Sequence, residues 1–354
     1  MSELAQPLAA AAERLFGQRC TAELVNSAES GDWPESLWQA VEDLAPASLL
    51  VPEAQGGAGG DWVDACLLLE RAGEFNVPLP IAESVLAGWL LGRAGLEAGS
   101  GPPGFACVET DLEPALQTGR LSLLLHRVPW AAQSTTLVVH ARCGKDAVVL
   151  RLPRASFEVQ AGRAFSGEPR DEVTVRDLGL DTPGVACRVL ADASDIDGHG
   201  AAALLRAAQI AGACRRVLAL TLAFTSERVQ FGRSIGQFQA VQHQLAQLAE
   251  EAAASRVAVQ AAGASCGGPW ATAAIAAAKV RAGEAAGLSA RISHQLHGAM
   301  GTTFEHGLHQ STRRLLTWRD EHGGEAWWAR ELVAAFRRQG AAGAWTGLTA
   351  ATSR

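Results

Sequence analysis

Apolar residues recur along this chain with two different periods, and the chain divides where the period changes. In the first hundred residues the period is helical. An Ala-rich amphipathic run covers 8–16 and another covers 35–44. A glycine-rich surface loop is expected at 55–60, with Asp61 as N-cap of a helix carrying Cys66, Leu67, Leu68 and Leu69 to Ala72. Pro78 and Pro80 lead into a further helix at 81–96. The sequence Gly-Ser-Gly-Pro-Pro-Gly at 99–104 reads as a linker. Beyond it the period falls to two, predicting strands at 121–126, 135–142, 147–152, 156–160, 172–178 and 185–190, with a hairpin turn at 143–146. From Gly200 the helical period returns, in runs at 201–230, 237–263, 270–297, 303–319 and 325–338. The pattern predicts an α+β chain that is mostly α. Its parts are a helical domain at 1–100, a small antiparallel β domain at 101–192 and a four-helix-type bundle at 193–354.

Composition narrows the function classes. The 354 residues are 48% hydrophobic and 19% charged, which fits a folded core. A net charge of −7 argues against a nucleic-acid footprint. Seven scattered cysteines without a Cys-x-x-Cys pair suit reduced thiols in a cytoplasmic protein. Glu3 and Glu13 interrupt any signal-like N-terminus, and apolar stretches break before the ~20 residues of a membrane span, so neither a leader nor a membrane helix is expected.

Candidate chemistry concentrates at 227–243, between two helical runs. Gly232 and Gly236 punctuate this connection, and it carries Arg228 and Arg233. A basic helix junction can offer guanidinium forks and free backbone N–H groups to a phosphate, although by itself it is a weak signal and reads first as an ordinary solvated loop. The glycines at 55–60 lack a preceding strand and the spacing of a dinucleotide fingerprint. His294, His297, His306 and His309 cluster around Glu305, but no Cys or further carboxylate completes a ligand set, and no metal is expected.

Arg228-x-x-Phe231-Gly232, followed by Ile235-x-x-Phe238-Gln239 and His243, resembles the signature of the acyl-CoA dehydrogenase family of flavoproteins. Gln295-x-His297-Gly298-Ala299-x-Gly301, then Glu305-His306, Leu308-His309 and Arg313-Arg314, is similar to the family's second motif, and the three-part order of elements matches as well. The resemblance implies FAD as cofactor. It gives Arg228, Phe231 and Gln239 to the flavin nucleotide of a neighbouring subunit, and Gln295, Gly298 and Ala299 to the adenine-diphosphate part, Ala299 standing where the family has glycine. It implies α,β-dehydrogenation of an acyl-CoA in a homo-oligomer or in a hetero-oligomer with a homologous subunit, with electrons passing to an electron-transfer flavoprotein.

This chain also departs from the family pattern. Residues 105–120 hold no Thr-Glu-Pro loop, Glu109-Thr110-Asp111 being nearest, and Trp130 falls near the flavin-walling tryptophan in a shifted register. Trp130 either walls the flavin or covers the β core. Of the family's two positions for the catalytic carboxylate, the one on the first bundle helix is Ala202, and 198–226 has no Asp or Glu. The other matches His322-Gly323, one residue after Glu321, which makes Glu321 the candidate base. Glu321 with Asp320 and Glu325 also reads as first-turn acids of the following helix. Two functions follow: a dehydrogenase using Glu321, or a non-catalytic partner that completes the FAD site of a second homologous chain.

Overall fold

The computed structural model describes residues 4–97, 99–190 and 196–350, so the domain boundary expected at 192 lies outside the described residues. Five helices open the chain: α1 (Ala5–Arg19), α2 (Ala22–Ser30), α3 (Glu35–Glu42), α4 (Trp62–Glu74) and α5 (Ile81–Arg93). Asp61 caps α4 as expected. Its carboxylate accepts from Val63 N and Asp64 N, and Asp64 returns a carboxylate oxygen to Asp61 N, a reciprocal capping box. The glycine loop is a packed turn, because a Cβ on Gly57 would lie 2.0 Å from the Val51 carbonyl oxygen.

The β module runs β1 (Pro103–Asp111), α6 (Glu113–Thr118), β2 (Arg120–Pro129), β3 (Thr136–Cys143), β4 (Asp146–Pro153), β5 (Glu158–Gln160), β6 (Arg170–Gly179) and β7 (Ala186–Leu190). It forms two sheets, ordered β1-β3-β4-β7 and β2-β6-β5. Leu137, Val139, Ala141, Val148 and Leu150 from the first meet Leu121, Leu123, Leu125, Val173 and Val175 from the second in a core of their own. The expectation of a purely antiparallel domain is corrected here, since β1 and β3 are parallel. Between them the chain crosses through α6 and β2, and β2 belongs to the other sheet, which gives the return needed for a parallel pair.

The bundle consists of α7 (Gly198–Glu227), a hairpin of β8 (Val229–Gln230) and β9 (Arg233–Ser234), α8 (Gln239–Ser265), α9 (Ala271–His297), α10 (Leu308–Asp320) and α11 (Glu325–Ala350), the last kinked at Gly340. α7 is long and apolar enough to cross a membrane, yet 56% of its most apolar window is buried, and it forms the centre of the helical core. Helices from both ends of the chain share that core. α4 lies against α7 at backbone distance. A Cβ on Gly73 would stand 2.0 Å from the Gln209 carbonyl oxygen, and one on Gly212 would stand 1.8 Å from that of Glu70. Two glycines in register therefore set the closest approach of the N-terminal helices to the bundle.

Candidate functional site

The sequence candidates separate into two places, at opposite ends of α7. At its C-terminal end the chain turns through the β8–β9 hairpin, which pairs Val229 with Ser234 and Gln230 with Arg233. The two residues between the strands, Phe231 (φ 54°) and Gly232 (φ 81°), both lie in the left-handed region, as a tight two-residue hairpin turn demands. Glycine takes that conformation freely, whereas a phenylalanine is strained there by roughly 1–2 kcal/mol. The Phe231 ring is also 92% exposed, touching only the edge of Phe238 at 6.2 Å among the ring contacts of the described residues.

The second motif joins this end of the bundle. One turn before Arg228, Phe224 stacks on His297 with ring centroids 4.3 Å apart. Beyond His297, Gly298 (φ 59°) breaks α9 into the short turn Gly298–Thr302. Arg228, Phe231, Gln239, Gln295, Gly298 and Ala299 are all exposed. Among the described residues, the side chains of Arg228, Gln239 and Gln295 enter no hydrogen bond or ion pair, so their donors face outward unspent. Val229, Met300 and Phe304 are exposed apolar side chains in the same two segments. Unspent guanidinium and amide donors next to bare aromatic rings fit a ligand that is part phosphate and part flat ring, which is the chemistry of FAD.

The histidines lie just behind. His297 Nδ1 donates to the Ser293 carbonyl at 2.8 Å, His294 Nε2 meets Thr312 Oγ1 at 2.8 Å, and His297 and His306 rings stand 4.7 Å apart. Burial, and then the mutual charge of the imidazoles, lowers the pKa of His294, His297 and His306. No cluster of metal-ligating groups is present among the described residues.

At the other end of α7 the candidate base is already engaged. Glu321 follows α10, and its two carboxylate oxygens accept from different guanidinium groups, Arg170 Nε at 2.6 Å and Arg206 Nε at 2.7 Å. Arg206 also donates to Glu83 of α5 at 2.5 Å, while Arg170 lies 3.5 Å from Glu168. Glu168 in turn accepts from Trp318 Nε1 and Ser166 Oγ, each at 2.9 Å. The two arginine side chains are 2% and 4% exposed. Burial alone would raise the Glu321 pKa, but the Arg170 and Arg206 charges and the Arg170 hydrogen bond outweigh it and hold it far below its ordinary value. A carboxylate tied this way is a poor proton acceptor. His322 (φ 54°) is no better, because burial and then the Arg206 charge pull its pKa down to about 3. Lys279 closes the α10 end by donating to the carbonyls of Arg319 at 2.6 Å and Gly323 at 2.8 Å.

Ala202, the family's other position for the base, is buried one turn before Arg206 on the same face of α7. Trp130 is 4% exposed, with φ 55° and its ring edge-on to Trp33 at 5.9 Å, so it joins the β module to the N-terminal helices. The sequence reading passed over Arg206, Glu83, Arg170 and Lys279. Two of them had a signal: Arg206 is the one Lys or Arg in 198–214, and Glu83 sits in the apolar run of α5, positions where a charge demands a partner.

Comparison with known proteins gives the family. The acyl-CoA dehydrogenase N-terminal domain matches residues 2–99 and the acyl-CoA dehydrogenase C-terminal domain matches 199–335. The chain is 33% identical over 286 residues to acyl-CoA dehydrogenase IpdE2 of Mycobacterium tuberculosis, covering 80% of each chain. Butyryl-CoA dehydrogenase of Megasphaera elsdenii has the same fold, with a TM-score of 0.79 at 16% identity over 95% of this chain and 98% of that one. So does the ChsE4-ChsE5 complex of Mycobacterium tuberculosis, with a TM-score of 0.78 at 19% identity over 94% and 97%. With the sequence motifs, the three-part fold and these matches in agreement, the chain belongs to the acyl-CoA dehydrogenase family of FAD-dependent oxidoreductases.

Proposed function

We propose that this chain is a subunit of an oligomeric acyl-CoA dehydrogenase in which it completes the FAD site of a neighbouring homologous chain, and that the neighbour carries the catalytic carboxylate. The strained, bare Phe231 supports this reading most directly. Holding that ring in a left-handed turn and in water is costly, and a partner surface covering it would return about 1.5–3 kcal/mol of apolar burial. Arg228 and Gln239 would hold the diphosphate of the neighbour's FAD from the same hairpin, and Gln295 with the backbone at Gly298 and Ala299 would hold the adenine-diphosphate portion. The Ala299 methyl keeps that backbone slightly farther from a nucleotide than glycine would.

FAD, when bound, supplies a two-electron acceptor for the β hydrogen of an acyl-CoA thioester. An α proton must leave to a base within hydrogen-bond reach, and in this chain both family positions for it are spent. Ala202 has no titratable group, and Glu321 is held by two guanidinium groups. Arg206 and Arg228 stand about 33 Å apart along α7 at ~1.5 Å per residue, so the Glu321 cluster lies far from the cofactor corner of its own chain. A mixed assembly also has a parallel in the ChsE4-ChsE5 complex, which shares the fold. Electron-transfer flavoprotein is the acceptor that the family membership favours.

The test is co-expression with a homologous dehydrogenase chain encoded nearby. The mixture is expected to co-purify, show oxidised-flavin absorption and bleach with an acyl-CoA, while each chain alone does not. Turnover by this chain alone would overturn the proposal.

A further inference from the structure

A cavity of about 690 Å³ lies between the end of α3, the end of α5 and the linker into the β module. That is within the ~300–1,000 Å³ of small-molecule sites. No residue of the two sequence motifs lines it, and no member of the Glu321 cluster does. α5 presents Gly88, Leu91 and Gly92 to it. Glu83, which binds Arg206, sits five residues before Gly88 and so about 140° around the helix. The cavity therefore opens on the other side of α5 from the buried ion network, and it does not rest on the proposed function.

The walls are apolar, with Trp38, Pro46, Val51, Leu91 and Leu96 among them. Gly56, Gly95 and Gly99 have no atom within 4 Å of where a Cβ would stand, which keeps the space open. The charge is of one sign. Glu42 and Glu97 are exposed on the lining, and among the described residues neither carboxylate enters a hydrogen bond or an ion pair. No Lys or Arg is among the lining residues. Arg93, in the last turn of α5, stands over the Trp89 ring at 5.3 Å, and Arg151 donates to the backbone carbonyls of Glu97 and Gly184 at 3.2 Å and 3.3 Å. The end of α3 adds an electrostatic conflict. The helix finishes on Glu42, with Asp43 as its C-cap and no basic residue in its last turn, so two acids meet the negative end of the helix dipole.

These features exclude an anion. A nucleotide, a CoA ester or a fatty acid would bring its charge against Glu42, Glu97 and a helix C-terminus with no cation on the lining to offset it. A positive group seated there would neutralise the two carboxylates and relieve the end of α3, while a hydrocarbon body would cover the apolar wall. We infer that this cavity binds a small amphiphilic cation, an apolar body carrying one protonated amine, at a site separate from the acyl-CoA dehydrogenase chemistry.

The test is calorimetric titration of the full-length chain, in its native assembly, at pH 7 and low salt. Three ligands share one rigid hydrocarbon body and differ in the head group: 1-aminoadamantane (cation), 1-adamantanol (neutral) and adamantane-1-carboxylate (anion). The amine is expected to bind, the alcohol to bind roughly 3- to 10-fold more weakly, as two exposed carboxylates allow, and the carboxylate to bind weakest. The gap between amine and alcohol should narrow in ~0.5 M salt, where exposed charges are screened. Glu42→Gln combined with Glu97→Gln is expected to weaken the amine roughly 3- to 10-fold and leave the alcohol unchanged. Both positions are exposed, and the urea midpoint of this double variant should be no lower than that of the wild type, because the end of α3 loses a charge that opposes its dipole. Equal binding of amine and alcohol, tightest binding of the carboxylate, amine affinity unmoved by the double variant, or no heat with millimolar amine would each overturn the assignment.

Discussion

Replacing Glu321 with alanine distinguishes a structural carboxylate from a catalytic one. In the folded chain this side chain lies between Arg170 and Arg206, whose side chains are 2% and 4% exposed. Removing one partner of a buried ion pair costs about 3–5 kcal/mol, because the charge left behind has neither water nor a counter-ion. Arg206 keeps Glu83 at 2.5 Å and Arg170 keeps Glu168 at 3.5 Å, which places the loss near the lower end, about 3 kcal/mol. With a urea m-value of ~3 kcal/mol/M, the unfolding midpoint falls by about 1 M. Glu321→Gln is expected to fare little better, since its amide N–H₂ would face a guanidinium N–H.

The acid limb gives an independent check. A carboxylate whose folded pKa is depressed adds stability that is fully present above its ordinary 4.5 and is lost as pH falls below it toward the folded value. Urea midpoints of the wild type should therefore decline below about pH 4.5 more steeply than those of Glu321→Ala. A variant with the wild-type midpoint and the wild-type acid limb would refute the reasoning. If such a variant had also lost turnover, Glu321 would be a base after all.

Further outcomes follow from other parts of the molecule. Arg228→Ala, on an exposed corner, should leave the urea midpoint unchanged and weaken FAD retention in the mixed assembly by roughly 10- to 150-fold, the ~1.5–3 kcal/mol of one charged hydrogen bond; unaltered flavin content after gel filtration would count against the corner. Gly212→Ala should cost about 1–3 kcal/mol through overpacking against the Glu70 carbonyl, while Gly324→Ala, with open space around it, should cost far less in the same melting experiment. The lowered pKa values of His294, His297 and His306 mean that the unfolded chain takes up protons first, so their contribution to stability is full above about 6.5 and is lost as pH falls below it. His297→Asn, which keeps a donor near the Ser293 carbonyl, should narrow the gap between urea midpoints measured at pH 7.5 and pH 5.5.

Long amphipathic helices were legible from the sequence because a 3.6-residue stripe survives over many turns, as in α8 and α9. Where little is buried the signal fades. α2 buries only Val25 and Ala28, too few to mark a stripe in its polar sequence. β1 opens with Pro103 and Gly104, which mask its strand character, and its parallel pairing with β3 depends on a crossover that no local pattern encodes. The run expected at 303–319 begins only at Leu308, after the turn at Gly298–Thr302. At the corner, the motif residues were readable as a group, yet the hairpin holding them is four paired residues, too short for any period. The engagement of Glu321 was invisible for a different reason. Its partners lie 151 and 115 positions away, and only the isolated charge of Arg206 within an apolar helix hinted that a counter-ion was needed.

The buried network also bears on synthesis of the protein on the ribosome. Glu83 enters α5 early, but the guanidinium that neutralises it is translated 123 residues later, and Arg206 in turn waits for a glutamate 115 residues further on. Until position 321 clears the exit tunnel, the emerging N-terminal helices cannot seal against the rest without trapping an unbalanced ion. Chains that terminate before that point are expected to remain open, sticky and dependent on chaperones, so expression of separate fragments should yield insoluble material even where each fragment is a complete run of helices.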